Sequence, residues 1–468
     1  MVFSSAVFLF IFLPVVLIAH TIVKNTTARN WLLIVASLVF YAFGEPVYIL
    51  LLIGSVIFNY IMGRIIYHYH KKWILAFSVA TNLSLLVIYK YAGFLVASFN
   101  DIFGMSIKEP QIVMPIGISF FTFQAISYIV DLYRDEKAKK TSFFEVLLYI
   151  SLFPQLIAGP IVQYRTVADL IKDRTVTLDK FSKGINRFIV GLSKKMLISN
   201  TMGYAADKIF ALSVSNIDAP LGWLGAVSYT LQIYFDFSGY SDMAVGIGWM
   251  LGFEFPENFN YPYIAVGIRD FWRRWHMSLT SWFREYLYIP LGGNKKGKAR
   301  QILNSMIVFL CTGIWHGANM TFLVWGLFHG ILISIETIFY KKDRKEHMAL
   351  IPLKRLYTIL AVIIGFVIFR ADSLFYGVKY IGQMFTGGID NGAFTIMKSI
   401  LTPSFIVTLA ISIVASCPVI PFIRNKFKDT KVYTVICTTG YVFTLILFGL
   451  CVMTLASNSY NPFIYFRF

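Results

Sequence analysis

Residues 301–340 read QILNSMIVFLCTGIWHGANMTFLVWGLFHGILISIETIFY, an apolar block whose only acidic or basic side chains are those of His316, His329 and Glu336. One helix that crosses the hydrocarbon core of a membrane needs about 20 apolar residues. Within lipid, only helices and closed barrels satisfy all their backbone groups, and the alternating pattern of barrel strands is absent here. The block therefore predicts two successive membrane helices.

Similar apolar blocks recur along the whole chain of 468 residues, of which 57% are hydrophobic and only 14% are charged. A soluble domain has about 25% charged residues, so much of this surface must face lipid. The prediction is an all-α, polytopic membrane protein with ten to twelve crossings. The other candidate spans are residues 4–23, 31–44, 47–67, 73–98, 111–133, 144–163, 220–252, 354–370, 404–423 and 432–456.

The net charge of +18 raises the question of nucleic-acid binding. The basic residues, however, form short groups between the apolar blocks, for example Lys71–Lys72, Lys194–Lys195 and Lys295–Lys296. Such groups at helix ends reflect the positive-inside bias and attraction to anionic headgroups. Membrane lipid is thus the expected partner and nucleic acid is excluded. The four cysteines lack metal-ligand spacing, and no metal site is expected.

The chain is expected to form a single domain over 1–468, because no soluble domain of useful size fits between the spans. Two polar stretches, about 165–200 and 266–290, have apolar residues at helical spacing beside basic residues, which predicts amphipathic helices at the membrane interface. In the second stretch the pattern predicts one helix from Ile268 to Tyr286. Met114-Pro115-Ile116-Gly117 predicts a break in the backbone at membrane depth.

His316 is the first candidate for chemistry, because an ionisable side chain at membrane depth is costly and is a functional-site hypothesis by default. The alternative is a core histidine bonded to a neighbouring helix. His329 follows thirteen residues later, on the opposite side of a continuous helix, which favours a structural role. His276 lies among arginines, whose charge favours the neutral imidazole that can take a proton. The alternative is a histidine facing lipid headgroups.

The residues alone go no further than a membrane protein with two unusual histidines. The carboxylates, such as Asp236, are expected to be structural. Nucleotide-binding and metalloprotease motifs and the nucleophile elbow are absent. An enzyme and a proton-coupled transporter or flippase that uses His316 both remain open.

Several longer motifs occur in order along the first three quarters of the chain, and together they make a specific pattern. They are PIGISFFTFQ (115–124), FPQLIAGPI (153–161), YFDFSGYSD (234–242), DFWRRWHMSL (270–279), LGGN (291–294), WHG (315–317) and FRADS (369–373). The pattern resembles membrane-bound O-acyltransferases of the bacterial cell-envelope branch. It is closer to the membrane subunit of alginate O-acetyltransferases than to the D-alanyl transferases of teichoic acids.

This resemblance implies a ring of transmembrane helices around a central tunnel in the cell (cytoplasmic, or inner) membrane, with the acyl donor entering from the cytosol. The family's invariant histidine falls on His316 and its second polar active-site residue on His276. The tunnel is then expected to be lined by Trp315, Asn319, Tyr234, Asp236 and Gln155. It also implies a separate extracytoplasmic partner of the serine-esterase type.

The hypothesis is that acetyl-CoA, used as a substrate without any bound cofactor, meets Arg269, Arg273, Arg274 and Trp275 at the cytosolic mouth. His316 then acts as general base on the attacking hydroxyl, and His276 orients the donor or stabilises the leaving thiolate. The expected acceptor is an exported or cell-wall polysaccharide, such as alginate. The alternatives are D-alanyl transfer from an acyl carrier protein to teichoic acid, and the transporter.

Overall fold

A computed structural model describes residues 1–134, 141–339, 348–388, 390–430, 432–457 and 460–462. Every regular element in these ranges is helical. This confirms the all-α prediction. The chain divides into two compact units, which we describe separately: residues 1–188 with 240–257, and residues 189–239 with 258–468. The prediction of a single domain is not tested by this division and stays a prediction.

The first unit is built on helices that cover most of its length. They are Leu13–Ile22, Thr26–Gly44, Ile49–Tyr69, Lys72–Leu86, Ala92–Phe103, Ile118–Arg134, Phe143–Ser151, Phe153–Leu156 and Tyr164–Lys172. Two buried polar side chains inside it pair with each other. Asn59 and Asn82 exchange side-chain hydrogen bonds of 2.9 and 2.8 Å, and both are buried. Reciprocal amide bonds of this kind hold apolar helices in register where hydrophobic attraction between them is weak.

Two helices belong to both units, since Leu178–Ser193 and Ala219–Leu251 run across the boundaries between them. The second unit contains the remaining helices. They are Asn200–Phe210, Ile268–Trp272, Met277–Phe283, Gly297–His316, Met320–Phe339, Ile351–Arg370, Leu374–Thr386, Asn391–Ile400, Pro403–Ala415, Val419–Phe427 and Val432–Ala456. Its core is rich in large aromatic side chains, among them Trp272, Trp275, Trp325 and Phe366.

The two helices of the 301–340 block pack closely through small residues. A Cβ atom added at Gly313 would meet the carbonyl oxygen of Phe322, and one added at Gly326 would meet the carbonyl oxygen of Phe309. Glycine lets two backbones approach in this way, as is common between membrane helices. This contact fixes how the helix that ends at His316 lies against the helix that carries His329.

Six helices of the described chain are long and apolar enough to cross a membrane, or up to seven if one pair bent by 74° counts as a single span. The six are Thr26–Gly44, Ile49–Tyr69, Lys72–Phe103, Met320–Phe339, Met348–Arg370 and Val432–Ala456. This number is smaller than the ten to twelve crossings expected. The chain is nevertheless a multi-pass membrane protein by the length and composition of these helices.

Part of the shortfall has a local cause in the predicted spans 111–133 and 144–163. Helix begins only at Ile118 in the first, after Gly117 adopts a φ of 78° that favours glycine. The break expected at Pro115–Gly117 is therefore present. In the predicted span 144–163, the first helix ends at Ser151, and only four further residues, Phe153–Leu156, are helical. Prolines 154 and 160 limit helix there, because proline lacks an N–H group and fixes φ.

The interfacial stretch at 165–200 is helical, as predicted, but in separate pieces: Tyr164–Lys172, Leu178–Ser193 and the π-helical Lys194–Ser199. Phe188 and Ile189 are buried, whereas Ile185, which helical spacing puts on the same face, is 41% exposed. Its position at a membrane interface stays a prediction.

Candidate active site

His316 ends the helix Gly297–His316 and is 94% buried, with a relative exposure of 6%. Aromatic rings surround its imidazole. The ring centroids of Trp315, Trp325 and Phe369 lie 5.0, 5.1 and 5.1 Å from that of His316, and the Trp325 and Phe369 planes are nearly perpendicular to it. An imidazole in such an apolar setting keeps its electrostatic interactions strong, because little water screens them.

The imidazole of His276 is also buried, with 1% exposure. Its ring packs at 4.5 Å from Phe237 and 6.1 Å from Trp315, the residue next to His316. Burial, and then the proximity of His316, lower the pKa of His276 well below its usual value. His276 and His316, the two candidate catalytic histidines, therefore lie in one neighbourhood. His276 is neutral.

The backbone conformation at His276 sets the orientation of its ring. His276 has φ 44° and ψ 52°, a left-handed conformation that is uncommon for a residue with a Cβ atom. It separates helix Ile268–Trp272 from helix Met277–Phe283. The prediction of one continuous helix from Ile268 to Tyr286 was therefore wrong, because apolar periodicity does not reveal a single left-handed residue. Strained residues of this kind cluster at functional sites.

Asn258 determines which nitrogen of His276 carries the proton. The Asn258 side-chain oxygen accepts hydrogen bonds from the Ser278 backbone N–H and hydroxyl, at 3.2 and 2.9 Å. The same oxygen lies 3.1 Å from His276 Nδ1, so Nδ1 must donate. In the neutral ring, Nε2 then has the lone pair. His276 Nε2 is buried and has no hydrogen-bond partner among the described residues.

His329 is held by a tryptophan, as its predicted structural role requires. The Trp272 indole N–H donates to His329 Nδ1 at 3.3 Å. The expectation that His316 and His329 point apart assumed a continuous helix, but helix ends at His316 and begins again at Met320. As a result both imidazoles pack against Trp325, each with ring centroids 5.1 Å apart.

The residues predicted to bind the donor fall into two groups. Arg273 is exposed, and Arg269 and Arg274 are half-buried. Arg274 pairs with Asp270 at 3.0 Å. Trp275, by contrast, is buried in the aromatic core, 5.1 Å from both Phe259 and Phe366.

The predicted tunnel-lining residues occupy different places. Tyr234 is buried against Phe259 and Tyr263. Asp236 forms a buried ion pair of 2.6 Å with Lys195. Asn319 caps helix Met320–Phe339: its side-chain oxygen accepts from the Thr321 N–H at 3.0 Å, and its amide donates to the Asp372 carbonyl at 3.1 Å. Gln155 lies buried in the first unit, where its amide donates to the Tyr149 carbonyl.

Three contributors to this site escaped the sequence analysis: Asn258, Trp325 and Glu336. The Glu336 carboxylate accepts hydrogen bonds from the backbone N–H groups of Ile268 and Arg269, at 2.6 and 3.0 Å. It therefore caps the short helix that leads to His276. One feature of the sequence could have indicated this role: Glu336 is the one acidic residue in the 301–340 block, and a charge at membrane depth needs a partner.

A family model described as MBOAT, membrane-bound O-acyltransferase family, matches residues 120–377. That range is more than half of the chain and contains His276 and His316. The chain belongs to the membrane-bound O-acyltransferase family. The family membership makes it an O-acyltransferase, and the alternative of a transporter or flippase is set aside.

Relatives of this O-acyltransferase act on different polymers, according to their names. It is 39% identical to a probable alginate O-acetylase, AlgI, of Pseudomonas putida, over the full length of both chains. It is 37% identical to a peptidoglycan O-acetyltransferase of Helicobacter pylori, over 82% of this chain and 80% of that protein. The match to a teichoic acid D-alanyltransferase of Bacillus subtilis is 32%, over 54% of this chain and 65% of that protein. The O-acetyltransferases are therefore the nearer of these relatives, as the motifs predicted.

Proposed function

We propose that this O-acyltransferase moves acetyl groups from cytosolic acetyl-CoA across the cytoplasmic membrane for O-acetylation of an exported or cell-wall polysaccharide. The full-length similarity to alginate O-acetylases supports the acetyl group and the polysaccharide. The observation that carries the chemistry is the pair of buried imidazoles, His316 and His276, in one aromatic neighbourhood.

His316 is the general base in this proposal. It takes the proton from the attacking hydroxyl, while the hydroxyl oxygen forms a bond to the thioester carbonyl carbon and the carbonyl π pair moves onto its oxygen. When the intermediate collapses, the C–S bond breaks and the CoA thiolate leaves with the proton that His316 returns. Base catalysis of this kind contributes about 10²–10⁴-fold, and holding the two reactants together contributes further.

His276 orients the donor. The sequence left two roles open for it, and the hydrogen bond to Asn258 supports the first. With Nδ1–H occupied and the ring neutral, Nε2 can accept a hydrogen bond from an N–H group, for example an amide of the CoA arm. It has no proton to give to a leaving thiolate.

Arg273 is the foremost of the basic residues proposed for the donor's phosphates, because its side chain is exposed. Arg274 already has a carboxylate partner in Asp270, and Trp275 lies in the core. An exposed guanidinium suits phosphate recognition. On the other side of the membrane, a separate partner of the serine-esterase type receives the acetyl group and passes it to the polysaccharide.

The test is to supply membranes from cells that make the protein with radiolabelled acetyl-CoA or with a D-alanyl-charged carrier protein, and to count label in the polymer fraction. We expect label from acetyl-CoA only. Label from the D-alanyl carrier alone would overturn the acetyl assignment in favour of teichoic acid alanylation.

The base assignment is tested with His316→Ala at equal protein level. His68→Ala is the matched control, because His68 is exposed. We expect His316→Ala to lose at least 100-fold of the acetyl transfer, in line with the loss of a general base, and His68→Ala to retain it. Near-normal transfer by His316→Ala would remove His316 from the mechanism.

A further inference from the structure

Trp325 packs against four aromatic side chains, one of which is His316. Its ring centroid lies 5.1 Å from that of His316, with the planes at 90°, and 5.0 Å from that of Phe369. It also contacts Trp272 at 5.7 Å and His329 at 5.1 Å. Trp325 is 1% exposed. The Trp325 indole and the His316 imidazole therefore pack against each other and share Phe369 as a neighbour.

The indole N–H of Trp325 is buried and has no hydrogen-bond partner among the described residues. The indole N–H of the neighbouring Trp272, in contrast, is satisfied, because it donates a hydrogen bond to His329. A buried donor left unsatisfied costs about 1–3 kcal/mol, and buried indole N–H groups usually find a partner. A bound water would need two to four polar partners, whereas aromatic rings surround this group.

We propose that the Trp325 N–H donates a hydrogen bond to the acyl carbonyl oxygen of the donor and stabilises the oxyanion that forms there. This inference rests on the proposed function. As the acceptor hydroxyl adds to the carbonyl carbon, the π electron pair moves onto the carbonyl oxygen, next to His316, which takes the proton. The Trp325 N–H stabilises that negative charge until the C–S bond breaks, the carbonyl re-forms and the thiolate leaves with the proton.

The chemistry of the reacting groups selects the carbonyl oxygen. An indole N–H is a donor only, so its partner must be an acceptor. The attacking hydroxyl must itself donate its proton to the base, and thioester sulfur is a weak acceptor. The carbonyl oxygen is a good acceptor and gains charge in the transition state, where a fixed donor in a dry site is most effective.

The position of Trp325 is rigid, as an oxyanion donor requires. Its chain neighbour Gly326 packs directly on the backbone of the helix that ends at His316. Since any Cβ atom at Gly326 would meet the Phe309 carbonyl oxygen, the two helices are held at a fixed distance. The Trp325 ring and the His316 ring thus keep one geometry before substrate arrives.

The experiment replaces Trp325 with phenylalanine and, separately, with 3-benzothienylalanine, which puts sulfur in place of the N–H and keeps the shape of the ring. Purified protein in liposomes, together with its extracytoplasmic partner protein as the acetyl acceptor, is assayed for kcat and for the KM of acetyl-CoA. Trp73→Phe is the matched control, because Trp73 is 70% exposed. We expect both Trp325 variants to lose about 10²-fold in kcat, the usual loss for one oxyanion donor, with KM changed less than threefold.

The outcomes separate the two proposals. If the wild type does not transfer acetyl from acetyl-CoA, the proposed function fails. If the wild type is active and the benzothienyl variant keeps kcat within threefold, the oxyanion role of Trp325 is overturned, whatever the phenylalanine variant does. A rise in KM with unchanged kcat in the benzothienyl variant would also overturn it, because that result indicates ground-state binding alone.

Discussion

The side-chain oxygen of Asn258 lies 3.1 Å from Nδ1 of His276 and also accepts two hydrogen bonds from Ser278. These contacts make Asn258 an orienting residue, since it sets both the direction of the imidazole and the position of its proton. Asn258 itself is buried. Residues that orient a catalytic histidine in this way contribute without contacting the reacting atoms.

Replacing Asn258 with alanine should lower kcat about tenfold, the rate equivalent of about 1.4 kcal/mol, because His276 loses its fixed tautomer. The measurement is acetyl transfer by purified protein in liposomes to its extracytoplasmic partner protein. A variant with wild-type kcat would show that the tautomer of His276 does not matter.

Replacing Asn258 with aspartate makes a prediction for the pH profile. The new carboxylate favours the protonated imidazole and raises the pKa of His276, which burial holds low in the wild type. In the proposed mechanism the neutral ring is the active form, so activity should be lost at a higher pH on the acid side than in the wild type. An acid limb at the same pH in both proteins would contradict a role for neutral His276.

Glu336 should be needed to hold the short helix Ile268–Trp272 in place. Replacing it with leucine removes the acceptor of two backbone N–H groups, and the loss of such a cap costs about 0.5–2 kcal/mol. The melting temperature in detergent should fall, together with activity, because His276 follows this helix. Glu109→Leu, at an exposed position, is the control. Equal melting of the two variants would contradict the capping role.

Substitutions of Lys195 and Asp236 test whether Asp236, a predicted tunnel-lining residue, has a structural role. The pair is 2.6 Å apart, with side-chain exposures of 3% and 1%. Lys195→Met removes the positive charge beside a buried carboxylate, which costs about 3–5 kcal/mol. The double variant Lys195→Met, Asp236→Leu should recover much of that stability. If Lys195→Met and the single variant Asp236→Leu both melt like the wild type and lose only activity, Asp236 belongs to the chemistry instead.

Gly326→Ala should separate the helices that bring His316 and Trp325 together. The added methyl group meets the Phe309 carbonyl, and overpacking of this kind costs about 1–3 kcal/mol. Gly449→Ala is the control, since nothing lies within 4 Å of a Cβ atom there. We expect lower stability and lower kcat for the first variant only. Unchanged kcat in Gly326→Ala would show that the site tolerates a shift of these helices.

The sequence was informative wherever a property is local. Hydropathy located the six long apolar helices, and the cost of an imidazole at membrane depth singled out His316. The seven motifs that occur in order between residues 115 and 373 together indicated the family. These are features that single segments of chain express in their own composition.

Other features depend on partners that are distant in sequence, and composition could not show them. Asn258 precedes the imidazole that it orients by 18 positions, and Glu336 caps a helix 68 positions earlier. Trp325 was counted only as an apolar residue, because nothing in a sequence tells whether an indole N–H is satisfied. The break at His276 escaped because a single left-handed residue leaves the apolar spacing intact.

Because the backbone at His276 is left-handed, the effect of its conformation on stability can be measured separately from the effect of its imidazole on activity. His276→Gly and His276→Ala both lack an imidazole, and both should be inactive. Glycine adopts φ 44° freely, whereas alanine does not, so the glycine variant should be the more stable by about 1 kcal/mol. That difference in unfolding free energy is the conformational energy that the folded chain stores in order to present a ring there.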